Sequence, residues 1–143
     1  MQFDRGGPGP YIPGTSMGLS SMSEAYNETV LDHYRNPRNV GVLKNAHAVG
    51  KAENSACGDV LHLYLAIDQD RVVDSRFQTF GCAAAIAAGS RLTEMVTGAT
   101  LDEVRAIRRR DVVEALGGLP PMKVHCSVLA EDALRAALEA YEH

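Results

Sequence analysis

The apolar residues of this chain change their spacing once, at Gly81, and that change limits the possible folds more than any other feature. Before it, in VLHLYLAI, Leu61, Leu63, Leu65 and Ile67 alternate with His62 and Tyr64, the period-two pattern of a half-buried strand. DQDR turns the chain, and VVDSRFQTF runs back as a second strand, with Val73 and Phe77 expected on one face and Asp74 and Arg76 on the other. HAVGKAE supplies a third strand at the edge of this hairpin. After Gly81 the period is helical: in AAAIAAGSRLTEMVTG, Ala85, Ala88, Leu92, Met95 and Val96 share one stripe, and Gly98 ends it.

Helices also bracket this core. SEAYNETVLDHYRNP reads as a helix capped by Ser23, with Tyr26, Val30, Leu31 and Tyr34 on one face, stopped by Pro37. TLDE offers a capping box from Thr100 to Glu103. DVVEALGGLPP predicts a short helix capped by Asp111, with a Gly-Gly exit and a proline stop. A last amphipathic helix is predicted from Ser127 to the end, with Glu131 and Asp132 in its first turn and Leu134, Leu138 and Tyr141 along one side. Strands grouped together and helices following them give an α+β fold. Residues 1–22 hold three of the six prolines and five of the thirteen glycines and show no periodicity. They read as a leader or tag-like segment, leaving residues 23–143 as one domain.

Composition excludes some functions. No apolar run approaches bilayer length, so no membrane span is expected. A net charge of −4 argues against a nucleic-acid surface, and the one basic run, Arg108-Arg109-Arg110, reads as a solvated helix start or loop. Three cysteines, an odd number, do not make a closed disulfide framework, and no secretory apolar segment precedes them. Reduced thiols in a cytosol fit better, and there spaced cysteines point to metal or catalysis.

The three thiols lie at turns and helix starts. Cys82 immediately precedes the alanine-rich helix, and Cys126 lies at or just before the last one. Unpaired N–H groups and the positive end of the helix dipole are expected to lower both thiol pKa values. Cys57 occupies a tight turn beside Gly58, with Asp59 two residues on, and His125 adjoins Cys126. Each cysteine alone reads equally well as a small buried apolar residue. Together with Asp59 and His125 they can form a tetrahedral zinc site or the protein shell of a small iron–sulfur cluster. The remaining histidines, His33, His47, His62 and His143, read as surface or half-buried side chains.

The strings LDHYRNPRNVG, ACGDV, FQTFGCAAAIA and LPPMKVHCSVLAEDAL resemble the scaffold family of iron–sulfur cluster assembly, of the IscU/NifU N-terminal type. The resemblance runs from about Ser23 to the C-terminus. It implies an IscU/SufE-like α+β fold, a three-stranded antiparallel sheet with helices packed on it. It also implies a ligand set of Cys57, Cys82 and Cys126 with Asp59 and His125 nearby. On these residues a transient 2Fe–2S cluster is held, with 4Fe–4S between two subunits, and zinc binds in the cluster-free form. Aspartate is associated with cluster lability. The partners implied are a cysteine desulfurase, a frataxin-type protein, a ferredoxin, a DnaK-type chaperone with its J-protein, and acceptor apoproteins, around a monomer or weak homo-oligomer.

The chaperone peptide of the family corresponds to Leu119, Pro120, Pro121, Met122 and Lys123, expected as a rigid extended exit from the preceding helix. Two departures stand out: Met122 where the family has valine, and Ala83-Ala84-Ala85 where it usually has Gly-Ser-Ala. Two other functions compete. A zinc-dependent sulfurtransferase of the SufU type would use a closely similar site, but such chains carry an insertion between the second and third cysteines, and the Cys82–Cys126 interval looks uninserted. A structural zinc domain would need metal to fold, whereas this chain has an apolar core of its own.

Overall fold

The computed structural model describes residues 26–54 and 58–142. Three strands, β1 (Ala48–Asn54), β2 (Asp59–Asp68) and β3 (Arg71–Phe80), form one antiparallel sheet in the order β1-β2-β3. Helix α1 (Glu28–Arg35) precedes the sheet. After it come α2 (Ala83–Val96), α3 (Leu101–Arg105), α4 (Arg109–Ala115), a 3-10 turn (Pro121–Lys123) and α5 (His125–Glu142). Among the described residues no helix is long and apolar enough to cross a membrane.

The alternation expected of β2 is present: Leu61, Leu63, Leu65 and Ile67 are buried against the helices. Burying one such leucine stabilises the fold by about 1.5–3 kcal/mol. In β3 the alternation shifts phase. The register places Ala66 opposite Asp74 but Ile67 opposite Val72, so Val73 is the extra residue of a bulge. Val72, Ser75 and Phe77 therefore point inward, and Val73, expected inside, is exposed. The β2–β3 turn holds Gln69 and Asp70 both at positive φ, which matches the twist of a two-residue hairpin.

Helix boundaries differ from the sequence reading where a different side chain does the capping. Ser23 lies outside the described residues, and the cap of α1 is Asn27, whose Oδ1 accepts from the Val30 N–H at 2.9 Å. The Asn27 amide also donates to Gly118 O, tying α1 to the Gly-Gly exit of α4. Asp111 is not a cap but the third residue of α4, accepting from the Arg108 backbone N–H. α5 begins at His125 rather than Ser127, because the 3-10 turn feeds directly into it; Glu131 and Asp132 thus fall in its second turn. The Thr100–Glu103 capping box is as expected.

His33 is buried, contrary to its reading as a surface or half-buried residue. His33 Nε2 faces the Glu94 carboxylate at 3.2 Å, which only accepts, so in the neutral ring the proton is on Nε2 and the Ser90 hydroxyl, itself accepting from the Arg38 N–H, donates to Nδ1 at 2.7 Å. Burial holds the imidazole below its usual pKa, consistent with a neutral ring in this chain of bonds. The network pins the Asn36–Asn39 loop onto α2.

Two glycines let the helices approach the sheet. The inward residues of β1 are Ala48, Gly50 and Ala52. A β-carbon added at Gly50 would overlap the Ala133 carbonyl oxygen and the Ala137 nitrogen, so α5 lies with its backbone against the strand. A β-carbon at Gly89 would stand 2.6 Å from the Phe77 ring, which seats α2 on β3. α2 is enclosed by α1, α4, α5 and the sheet, with nine of its fourteen residues buried.

At Gly50 the obstructing atoms are backbone, which cannot rotate away. Gly50→Ala should therefore destabilise the fold by roughly 3 kcal/mol, read as a lower urea midpoint at unchanged slope. A midpoint equal to wild type would show that α5 does not sit this close.

Candidate metal centre

Antiparallel pairing brings Asp59, the first residue of β2, to the same end of the sheet as Gly81 and Cys82, which follow β3; Val60 faces Phe80. Gly81 has no side chain to spare there, since a β-carbon would stand 2.9 Å from the Asp59 carboxyl carbon. Cys82 is the N-cap of α2, in extended conformation. α5, seated on β1, delivers His125 and Cys126 to this end from its first turn.

The side chains converge. Cys82 Sγ lies 3.4 Å from Cys126 Sγ and 3.8 Å from Asp59 Oδ2, and Cys126 Sγ lies 3.7 Å from His125 Nε2. The donor atoms of Asp59, His125 and Cys126 all fall within 4.8 Å of one another. Cys82 and His125 are half-buried, Asp59 and Cys126 buried. Cys57 lies outside the described residues.

Metal fit can be judged from these lengths. A tetrahedral zinc ion with ordinary Zn–S, Zn–N and Zn–O bonds needs ligand–ligand edges of roughly 3.6–3.8 Å. The three edges above depart from that by a few tenths of an ångström, but the donors that all lie within 4.8 Å of one another are those of Asp59, His125 and Cys126, so Cys82 would have to move toward His125 for all four to hold one ion. The sulfurs are too far apart for a disulfide, whose S–S bond is about 2.05 Å. His125 Nδ1 lies 3.1 Å from Met122 O and donates to it, which leaves the lone pair of the neutral ring on Nε2, the atom facing Cys126.

The two thiols differ sharply, and here the sequence expectation fails by half. Cys82 is lowered to about 5: the Cys126 S–H donates to its sulfur, and the Ala85 and Ala84 amides and the charge of Lys123 add to this against the cost of burial. Cys126 is pushed up instead. Its proton is held in the bond to Cys82, its sulfur is buried, and Cys82 and Asp59 are both negative neighbours. Within the pair, negative charge is thus favoured on Cys82 and the proton on Cys126.

Two further residues belong to this setting and were not read as such from sequence. Tyr26 is buried, and burial followed by the charges of Cys82 and Cys126 raises its phenol pKa. Lys123, assigned only to the chaperone peptide, lowers both thiol pKa values. Its signal was its place three residues before Cys126, one helical turn away. The peptide itself is not extended throughout. Pro120 is (φ −57°, ψ 143°), but Pro121–Lys123 form the 3-10 turn, with Lys123 N–H donating to Pro120 O. Leu119 packs on the core, while Met122 and Phe80 stand exposed.

With its pKa lowered, Cys82 holds more thiolate at mildly acidic pH than an ordinary cysteine does. Iodoacetamide at pH 6 should therefore modify Cys82 in the metal-free protein well before Cys126, as read by peptide mass mapping. Cys126→Ala, which removes the S–H donor, should slow the Cys82 reaction at that pH. Equal labelling of the two would refute the shared proton.

Comparison with known proteins places the chain in a family. The NifU-like N terminal domain family model matches residues 25–143. The iron-sulfur cluster assembly scaffold protein IscU 1 of Archaeoglobus fulgidus is 52% identical over 116 residues, covering 81% of this chain and 76% of that protein. Escherichia coli (strain K12) IscU, of the same description, is 48% identical over 122 residues, covering 82% and 94%. The crystal structure of a nitrogen-fixing NifU-like protein (N-terminal) from Brucella abortus superposes with a TM-score of 0.67 at 26% identity, covering 85% of this chain and 96% of that one. The chain belongs to the family of NifU-like N-terminal domains.

Proposed function

We propose that this chain is a scaffold on which an iron–sulfur cluster is assembled from desulfurase-derived sulfur and ferrous iron, then passed to acceptor apoproteins. The observation that carries this reading is the 3.4 Å approach of Cys82 Sγ to Cys126 Sγ, set with Asp59 and His125 at one sheet end. The scaffold descriptions of the A. fulgidus and E. coli relatives support it. Cys82 binds a soft cation without first losing a proton, and Cys126 releases the shared proton when positive charge arrives. Cys57 completes the thiolates of a 2Fe–2S cargo, and 4Fe–4S forms between two subunits. Asp59 offers a hard oxygen, a poor match to soft iron–sulfide chemistry, which lets the cargo leave. Reduced thiols place the protein in the cytosol in this proposal. A frataxin-type protein and a ferredoxin act alongside the desulfurase.

A second reading is favoured by the mutual closeness of the Asp59, His125 and Cys126 donor atoms, within 4.8 Å: zinc-dependent sulfur transfer of the SufU type. There a thiolate of this chain attacks the outer sulfur of the desulfurase persulfide. The old S–S bond breaks, the desulfurase cysteine leaves as thiolate, and a new S–S bond forms on this chain. One experiment separates the two: anaerobic incubation with desulfurase, cysteine and ferrous iron, followed by absorption spectra and metal-to-protein ratio. The scaffold reading expects visible charge-transfer bands that vanish in Cys57→Ser, Cys82→Ser and Cys126→Ser, and a longer-lived cluster in Asp59→Ala. Zinc retention with persulfide transfer and no iron uptake would establish the second reading instead.

The DnaK-type chaperone and its J-protein enter through Leu119–Lys123. An extended-peptide groove would have to unwind the 3-10 turn, breaking the bonds from Lys123 N–H to Pro120 O and from His125 Nδ1–H to Met122 O. Engagement of the peptide would thereby loosen His125 and, beside it, Cys126. Adding this protein should stimulate the chaperone's ATPase, and Pro121→Ala, which weakens the pre-set backbone, should reduce the effect. An ATPase rate indifferent to the protein would remove this partner.

A further inference from the structure

A second cluster of chemistry lies far from the thiols, where the end of α3 meets the C-terminal half of α5. A cavity of about 360 Å³ is lined there by Arg105, Arg108, Arg135, Leu138, Glu139 and Glu142. Along α5, Leu138 is twelve residues beyond Cys126, roughly 18 Å of helix.

The three guanidiniums are not equivalent. Arg105 is committed to Glu142, at 2.9 Å and 3.0 Å, and to Asp102 at 3.1 Å. Arg108 and Arg135 instead converge on the same two oxygens. Arg108 Nη1 donates to Arg105 O at 2.8 Å and to Ile107 O at 3.2 Å; Arg135 donates to Arg105 O at 2.9 Å and also to Ile107 O. Glu131 is 3.8 Å from Arg135, at the edge of ion-pair reach, and among the described residues the Arg108 guanidinium has no carboxylate partner, its backbone N–H alone donating to Asp111. Two cations are therefore held close together, with Glu131 at the edge of reach of Arg135 and Glu139 and Glu142 on the cavity wall. The depressed pKa of Arg135, from burial and then from Arg108, agrees with this crowding.

Arg108 uses only Nη1 in these bonds, so its Nε–H and Nη2 hydrogens remain for an acceptor. Forked guanidinium donors match the oxygens of a phosphate, and one dianion offsets two adjacent cations where a carboxylate offsets one. The volume lies at the small end of the range of small-molecule sites, about 300–1,000 Å³. The exposed Arg109 and Arg110 raise the local positive potential. Glu139 opposes binding. We propose that this cavity binds a phosphate-type dianion, either free phosphate or a phosphate monoester on a small organic molecule.

The test is calorimetric titration of the full chain at low ionic strength with inorganic phosphate, with adenosine monophosphate, and with acetate as a monoanion control. Phosphate should bind saturably at one site. Arg108→Gln should weaken it about tenfold, with thermal unfolding unchanged because Arg135 still holds both carbonyls. Glu139→Gln should tighten it. Tighter binding of the nucleotide than of phosphate identifies an ester as the ligand, and equal binding identifies the free ion. No saturable binding of either, acetate bound as tightly as phosphate, or an Arg108→Gln protein that binds like wild type would overturn the proposal.

Discussion

The position of the metal centre depends on how near α5 can come to β1. The inward face of β1 is Ala48, Gly50 and Ala52, and the helix meets it through Ala133 and Ala137, so backbone rests on backbone. Cys126 is carried on the first turn of that helix. A methyl group at the contact would have to move α5 by an amount comparable to the spacings that define the site. Gly89 does the same for α2 on Phe77, and Cys82 caps α2. Close packing fixes the sulfurs because interiors at this density yield little.

Within the site, local charge outweighs the helix dipole. A helix N-terminus favours an anion by about 0.3–1 kcal/mol, whereas each pKa unit corresponds to about 1.4 kcal/mol. Both cysteines lie at helix starts, so the dipole alone would lower both. Burial, the neighbouring thiolate and Asp59 oppose it at Cys126, and they win there. At Cys82 the Cys126 proton and two backbone amides act in the same direction as the dipole, and the thiolate results. The asymmetry comes from one hydrogen bond between side chains 44 residues apart.

Much of this was legible in the sequence because it rests on period and punctuation. The Leu61–Ile67 alternation, the helical stripe after Gly81, the edge strand near Ala48 and the Thr100–Glu103 box are local signals, and the structure has them. Local signals failed where a distant partner decides. Val73 was read inside because strict alternation requires it, and only the pairing with β2 reveals the bulge. His33 was read as at most half-buried because its partners, Ser90 and Glu94, come more than fifty residues later. The proximity of Cys82, Cys126, Asp59 and His125 is a property of the packed helices. From sequence, only their shared placement at turns and helix starts could be seen, and the opposite protonation of the two thiols could not.

The enclosure of α2 bears on how such a chain can change over generations. Nine of its fourteen residues are buried, most of them alanine, glycine or serine, with neighbours on several sides. A larger residue at almost any of these places would be resisted by packing before it could alter chemistry. Substitution is resisted least where Phe80 and Met122 face solvent, since a change there disturbs no interior. The helix is the keel of the fold, with the least room to change.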